Sequence, residues 1–244
     1  GGTVKVLGEK VGLFGSASID VSGSDGGGTV LVGGNFQGGG SERNADRTFV
    51  ASGVSISASA VGNGDAGKVI VWSDDVTRFG GSIIATGGAT SGDGGLVEVS
   101  GKGSLTFRGT VDASAANGEA GSVLFDPINI IISDLAIGSQ ATLTSNDAFA
   151  NSTSTDAVTF DADQITVLTN AGTNVALQAQ NDIIINEAIT STGTGTLTLE
   201  AGRSVLAGAN ITLANANLSI SVNDTTGSGT NRADGEAVIE MADG

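Results

Sequence analysis

Gly67-Lys68-Val69-Ile70-Val71-Trp72 leads to Val76-Thr77-Arg78-Phe79 and then to Ser82-Ile83-Ile84-Ala85. The arrangement returns as Gly95-Leu96-Val97-Glu98-Val99, Ser104-Leu105-Thr106-Phe107 and Thr110-Val111-Asp112-Ala113. Each set contains three short runs rich in β-branched residues, separated by Gly, Asn, Asp or Ser, the composition of strands joined at tight corners. Three strands per repeat of about 26 residues predict a three-sided coil, and stacked coils make a solenoid.

Working outward, the small-residue pair and strand that open each coil recur as Gly1-Gly2-Thr3-Val4, Gly27-Gly28-Thr29-Val30, Ala66-Gly67-Lys68-Val69, Gly94-Gly95-Leu96-Val97 and Ala120-Gly121-Ser122-Val123. Val4, Val30, Val69, Val97 and Val123 are spaced by 26, 39, 28 and 26 residues. The long interval contains Ser41-Glu42-Arg43-Asn44-Ala45-Asp46-Arg47, the most polar stretch of the first half, and predicts a loop inserted near 41–52. Glycine at this density costs a helix about 1 kcal/mol per position relative to Ala, so strands are expected throughout. An antiparallel sandwich needs hairpin turns, whereas the unit here is three strands long.

Beyond Pro127 glycine thins and the period shortens. Leu177, Leu199, Ile220 and Glu240 align at spacings of 22, 21 and 20, with Asp182-Ile183-Ile184-Ile185 and Asn210-Ile211-Thr212-Leu213 between them. The expected fold is all-β: a right-handed parallel β-helix with three short strands per coil and roughly ten coils, a rod of about 50 Å at ~4.8 Å per coil. It divides into a Gly-rich part over 1–126, irregular junction coils over 127–165, and shorter coils over 166–244. The junction carries expected strands at Asn129-Ile130-Ile131-Ile132 and Ala141-Thr142-Leu143-Thr144, and a polar projection at Asn151-Ser152-Thr153-Ser154-Thr155-Asp156.

Composition narrows the function classes. Of 244 residues, 40 are Gly and one is Pro, and Cys, His and Tyr are absent. Disorder is the first alternative for a Gly-rich chain poor in aromatics. However, 39% of residues are hydrophobic and they fall in clusters, so the chain buries a core. A net charge of −16 would repel nucleic acid and anionic membrane alike. No apolar run approaches the roughly 18–20 residues that span a bilayer, and without a basic n-region and hydrophobic core a signal peptide is not expected within this stretch. The chain opens at Gly1 inside a repeat, so it is read as an excerpt of something longer.

Val69-Ile70-Val71-Trp72-Ser73-Asp74, Thr77-Arg78-Phe79-Gly80-Gly81-Ser82-Ile83, Ala85-Thr86-Gly87-Gly88, Val97-Glu98-Val99-Ser100-Gly101-Lys102, Gly109-Thr110-Val111-Asp112 and Phe125-Asp126-Pro127-Ile128-Asn129-Ile130 carry a family likeness. Here the chain resembles the filamentous-haemagglutinin-like exoproteins of the two-partner secretion route. Residues 171–183 are similar to that family's repeats. The resemblance covers most of 1–222 and is most specific at 67–130. It implies a right-handed β-helix, export through an outer-membrane partner transporter, and a secreted or cell-surface location. The family's Asn-Pro-Asn-Leu and Asn-Pro-Asn-Gly-Ile secretion motifs do not occur, which places transporter recognition outside this stretch.

Four features are weighed as sites. The acidic turns Ser24-Asp25-Gly26-Gly27, Asn63-Gly64-Asp65-Ala66 and Ser91-Gly92-Asp93-Gly94 offer hard oxygen ligands that suit Ca²⁺. They lack the nine-residue period of calcium-binding rolls, so Gly and Asp at solenoid corners is the preferred reading. Asp74 and Asp75 with Arg78 are the nearest approach to a polysaccharide-lyase constellation. Without His or Cys there is no general base or thiol nucleophile of the usual kind, and an enzyme is not expected. Trp72 is read as a core or corner residue rather than a sugar platform. Asn174, Asn181, Asn210, Asn215 and Asn217 are expected to stack as amide ladders. No catalytic, cofactor or metal residues are assigned. The expected role is a structural or adhesive extracellular rod, with two alternatives: a self-associating filament subunit joined through end coils or lateral faces, and, more remotely, a polysaccharide-binding or lyase β-helix. A receptor or surface glycan is not identified, and no nucleic-acid partner is expected.

Overall fold

The computed structural model describes residues 1–134, 148–149, 157–225 and 232–241. The chain is a three-sided parallel β-helix. Its first face is one sheet of eight strands stacked in chain order: Thr3–Val6, Thr29–Val32, Lys68–Val71, Leu96–Val99, Ser122–Phe125, Asn174–Ala179, Leu197–Ala201 and Leu218–Val222. The second face begins with Lys10–Leu13, Arg47–Val50, Val76–Phe79 and Ser104–Phe107. The third begins with Ser18–Asp20, Ser55–Ser57, Ser82–Ile84 and Thr110–Asp112. Every pairing is parallel, and the aligned valines are ladder partners: Val4 opposes Val30, Val30 opposes Val69, Val69 opposes Val97, and Val97 opposes Val123. The row continues through Val175, Leu197 and Leu218.

Strand alternation puts Val30, Val69, Val97, Val123, Val175 and Leu197, with Val32, Val71, Val99, Phe125, Leu177 and Leu199, into the bore, where they meet Ile56, Ile83 and Val111 of the third face. Phenylalanines stack along the second face. The rings of Phe79 and Phe107 lie 5.7 Å apart and 7° from parallel, and Phe125 stands edge-on to Phe107 at 4.8 Å and to Phe160 at 4.9 Å. The glycine before each opening strand is where coils approach most closely. A Cβ on Gly28 would sit 2.1 Å from the Gly2 carbonyl oxygen, one on Gly67 1.8 Å from that of Gly28, one on Gly95 2.4 Å from that of Gly67, and one on Gly121 2.2 Å from that of Gly95. The recurrent Gly is therefore a packing requirement of the stack itself.

Four departures from the sequence reading stand out. The insertion occupies residues 33–46, not 41–52: Arg47–Val50 is already a second-face strand, and fourteen residues stand where neighbouring coils use three or four. A helix is present, α1 over Ala162–Asn170, against the expectation of strands alone. Asp161 caps it through the Asp163 N–H at 3.0 Å, Gln164 reaches back to the Asp161 N–H at 3.4 Å, and Ala162, Ile165, Leu168 and Thr169 form its buried side. It stands in the third-face position between Thr110–Asp112 and Ile189–Ser191.

The second face also breaks chain order. Asn129–Ser133 pairs with Ile183–Ile185 on one edge and with the later strand Ala157–Asp161 on the other, so the later strand is stacked beneath the earlier one. Ala157–Asp161 packs on Ser104–Phe107 but belongs to a separate sheet, which continues through Ile183–Ile185 to Val205–Ala207 and Ile239–Met241. Finally, Glu240 pairs with Leu206 on the second face and does not continue the first-face row through Ile220. Among the described residues the first face has eight strands against roughly ten coils expected, about 35 Å of stack at ~4.8 Å per step. The fourteen residues of the 33–46 insertion account for part of the difference. The expected strand at 141–144 and the projection at 151–156 lie outside the described residues.

Candidate functional site

The first face is unusual on its outer side, where the 33–46 loop folds back over it. Outward-pointing Leu31 and Ile70, with Trp72 at the corner, form an apolar cluster outside the bore, and Phe36 of the loop packs on it. The loop backbone lies flat on the indole: a Cβ on Gly34 or Gly38 would come within 2.7 Å of the ring, and Gly38 holds φ +64°. Trp72 is 1% exposed, and its Nε1–H donates to Asp74 Oδ1 at 3.0 Å. The residue is thus buried, as expected, but beneath a flap rather than in the main core.

Next to this cluster the outer row turns polar. Glu98 lies opposite Ile70 on one side and Leu124 on the other, and is fully buried. Its Oε2 accepts the Gln37 backbone N–H at 2.9 Å, while Oε1 is buried with no hydrogen-bond partner. Gln37 sits in the left-handed region, φ 51° and ψ 32°, a conformation costing a non-glycine residue of order 1 kcal/mol. Its side-chain amide donates to Gln178 Oε1 at 2.8 Å, and Gln178 in turn donates to Glu200 Oε2 at 2.9 Å. Asp126, also fully buried, donates its N–H to Ser100 Oγ at 3.1 Å. Burial pushes the Glu98 carboxyl up to about 8, with Asp126 adding to the rise and the Gln37 and Ser100 hydrogen bonds opposing it. Glu200 is raised as well, through burial and the Asp224 charge, against the Gln178 hydrogen bond. The arrangement is a buried acid–amide row under a loop. Sequence reading passed over it, although one signal was available: Glu98 is a charge in an outward row between two large apolar residues.

The other candidate residues are occupied structurally. The acidic turns stitch coils together: Asp65 Oδ1 accepts the Asp93 N–H at 2.8 Å, and Asp93 Oδ1 accepts the Glu119 N–H at 2.8 Å. Gly64 and Gly92 take φ +87° and +118° at these corners. Asp74 and Asp75 diverge, Asp74 toward Trp72 and Asn44, Asp75 toward Arg47 Nε at 3.2 Å. The asparagines do not stack amide on amide. Asn174 instead accepts from the Thr196 N–H and hydroxyl, both at 2.9 Å, and donates to the Ala120 carbonyl at 2.9 Å, bonding across coils to backbone and hydroxyl groups. Asn215 donates to the Thr192 carbonyl in the same manner. Among the described residues no group of three or more His, Cys, Asp or Glu is placed to share a metal ion, and no helix is long and apolar enough to cross a membrane.

A second cover lies on the second face. Phe49 points outward yet is fully buried, because Phe14 stacks on it at 5.3 Å and Phe149 meets Phe14 edge-on at 6.4 Å. Arg47 Nη1 donates to the Phe149 carbonyl at 2.6 Å, so Phe149 lies against the first two coils. No protein-family model matches the chain, and no curated protein is detectably similar to it.

Proposed function

We propose that the chain is a load-bearing length of an extracellular rod, part of a secreted bacterial surface protein that serves attachment, and that it does no catalysis. The observation that carries this reading is the first face: eight parallel strands in unbroken register over a dry apolar bore. A ladder of that kind transmits force along the stack, and its stability is a sum of coil-to-coil interfaces. Asp65 and Asp93 are bonded to backbone N–H groups of the next coil and Asp75 is paired with Arg47, which are structural commitments. The resemblance at 67–130 to filamentous-haemagglutinin-like exoproteins points the same way and supplies the transporter-dependent export route.

Immunogold labelling of intact cells with antibody against residues 1–134 tests the reading. Label outside the outer membrane, with loss of attachment when the gene is deleted, is the expected result; label confined to the cell interior refutes it. A second reading, a self-associating filament subunit, draws on one specific observation. Leu218, Val238, Ile239 and Met241 on the far coils are 38–50% exposed, and a further coil stacked there would cover them. Electron microscopy separates the two: isolated rods support the stalk, and continuous fibres of uniform width support the filament.

A further inference from the structure

We propose that the 33–46 loop is a proton-held flap: it closes over Trp72 while the buried Glu98 carboxyl is protonated, and it lifts when Glu98 ionises beside Asp126. Three features of the geometry support this. Glu98 and Asp126 are both fully buried on neighbouring coils, and Asp126 donates its N–H to the hydroxyl of Ser100, two residues beyond Glu98. The loop meets Glu98 through the Gln37 backbone N–H, and the second carboxyl oxygen, Oε1, is buried without a hydrogen bond. The loop is also held in a costly conformation at Gln37, so its closed state depends on the contacts beneath it.

A neutral carboxylic acid tolerates this site. An ionised Glu98 beside Asp126 requires water, and lifting the loop is the shortest way to admit it. The cleft beside the loop, lined by Gln37, Asn44, Trp72, Asp74 and Lys102, already brings solvent to its edge. The charges around the pair cannot neutralise it. Lys102 and Asp74 face that cleft with opposite signs. Glu42 is paired with Lys5, Arg43 with Glu9, and Asp46 is exposed. Lys68 is at the other end of the neighbouring strand, and Glu200 beyond Gln178 adds negative charge. Ionisation does strengthen the Gln37 N–H bond, but burial is the larger influence on Glu98.

Trp72 is the sole tryptophan, so its fluorescence reports the flap directly. Titration from pH 6 to 10 should give a red shift and a severalfold rise in acrylamide quenching, with a midpoint near the Glu98 value of about 8 and an unchanged far-UV circular dichroism spectrum. Glu98→Gln, which mimics the protonated acid, should abolish the transition. Asp126→Asn should move it to lower pH, which keeps the test decisive if the first variant folds poorly. An unshifted emission up to pH 10, a transition that survives in Glu98→Gln, an unmoved midpoint in Asp126→Asn, or loss of β-structure in step with the red shift would each overturn the proposal.

Discussion

Gly67 shows how a single residue sets the coil spacing. Any side chain there meets the Gly28 carbonyl at 1.8 Å, a backbone atom that moves only if two coils separate. Gly67→Val should therefore lower unfolding stability in urea by about 3 kcal/mol or more, at or above the upper end of ordinary overpacking. Gly2 occupies the same column position one coil before Gly28, but a Cβ on it meets nothing within 4 Å, so Gly2→Ala should change stability by no more than about 0.5 kcal/mol. Equal effects from the two changes would refute the close-approach explanation. Glu98 makes a second residue-scale prediction, about pH. Its carboxyl is raised from 4.5 to about 8 on folding, so the native chain binds its proton more tightly than the unfolded one. Stability from this group is full below 4.5 and is lost as pH rises through about 8. Glu98→Gln should flatten the fall in urea midpoint between those limits, and an identical slope in both proteins would contradict the assignment.

At the scale of elements, α1 replaces a strand without interrupting the bore. Its capping box ties the end of Ala157–Asp161 to the helix, and Ile165 and Leu168 fill the layer that a third-face strand would fill. Asp161→Ala should cost about 1 kcal/mol by removing the cap. Ile165→Ala should cost about 2–5 kcal/mol by opening a cavity. Thermal unfolding of both variants checks the order, and a cap change costing as much as the core change would argue against it. The elements also show what a sequence can and cannot reveal. First-face register was legible because a fixed Gly-x-β-branched phrase recurs at each coil, and the paired valines repeat it. The boundary of the insertion was misplaced because Arg47 and Thr48 are polar, although Thr48 points inward and its hydroxyl is satisfied by the Trp72 carbonyl at 2.6 Å. The helix was masked by averaging glycine over the whole chain. Residues 161–171 contain none, and the Asp161…Gln164 spacing is itself a helix-start signature. The inverted order of Asn129–Ser133 and Ala157–Asp161 was not legible at all, because both strands carry the same alternating pattern and chain order does not dictate which lies beneath. The covered acid row escaped notice because its lid comes from a loop more than fifty residues away in sequence.

At the scale of the whole molecule, the 33–46 loop and residues 148–149 lie on the outside of adjacent faces. Residues 33–46 seal the outside of the first face, and Phe14, itself met edge-on by Phe149, stacks on Phe49 on the second, so apolar side chains that point away from the bore are still buried. The core proper is a stack whose length is set by the number of first-face strands. Spin labels at Lys5→Cys and Ser219→Cys test that arrangement most directly, since the chain has no native cysteine and both positions lie on the same outward row, seven strand steps apart. Dipolar spectroscopy should return one narrow distance near ~34 Å, the product of seven steps and ~4.8 Å, widened only by the label tethers. A distance below ~20 Å, or a broad distribution without a peak, would contradict the parallel stack on which the rest depends.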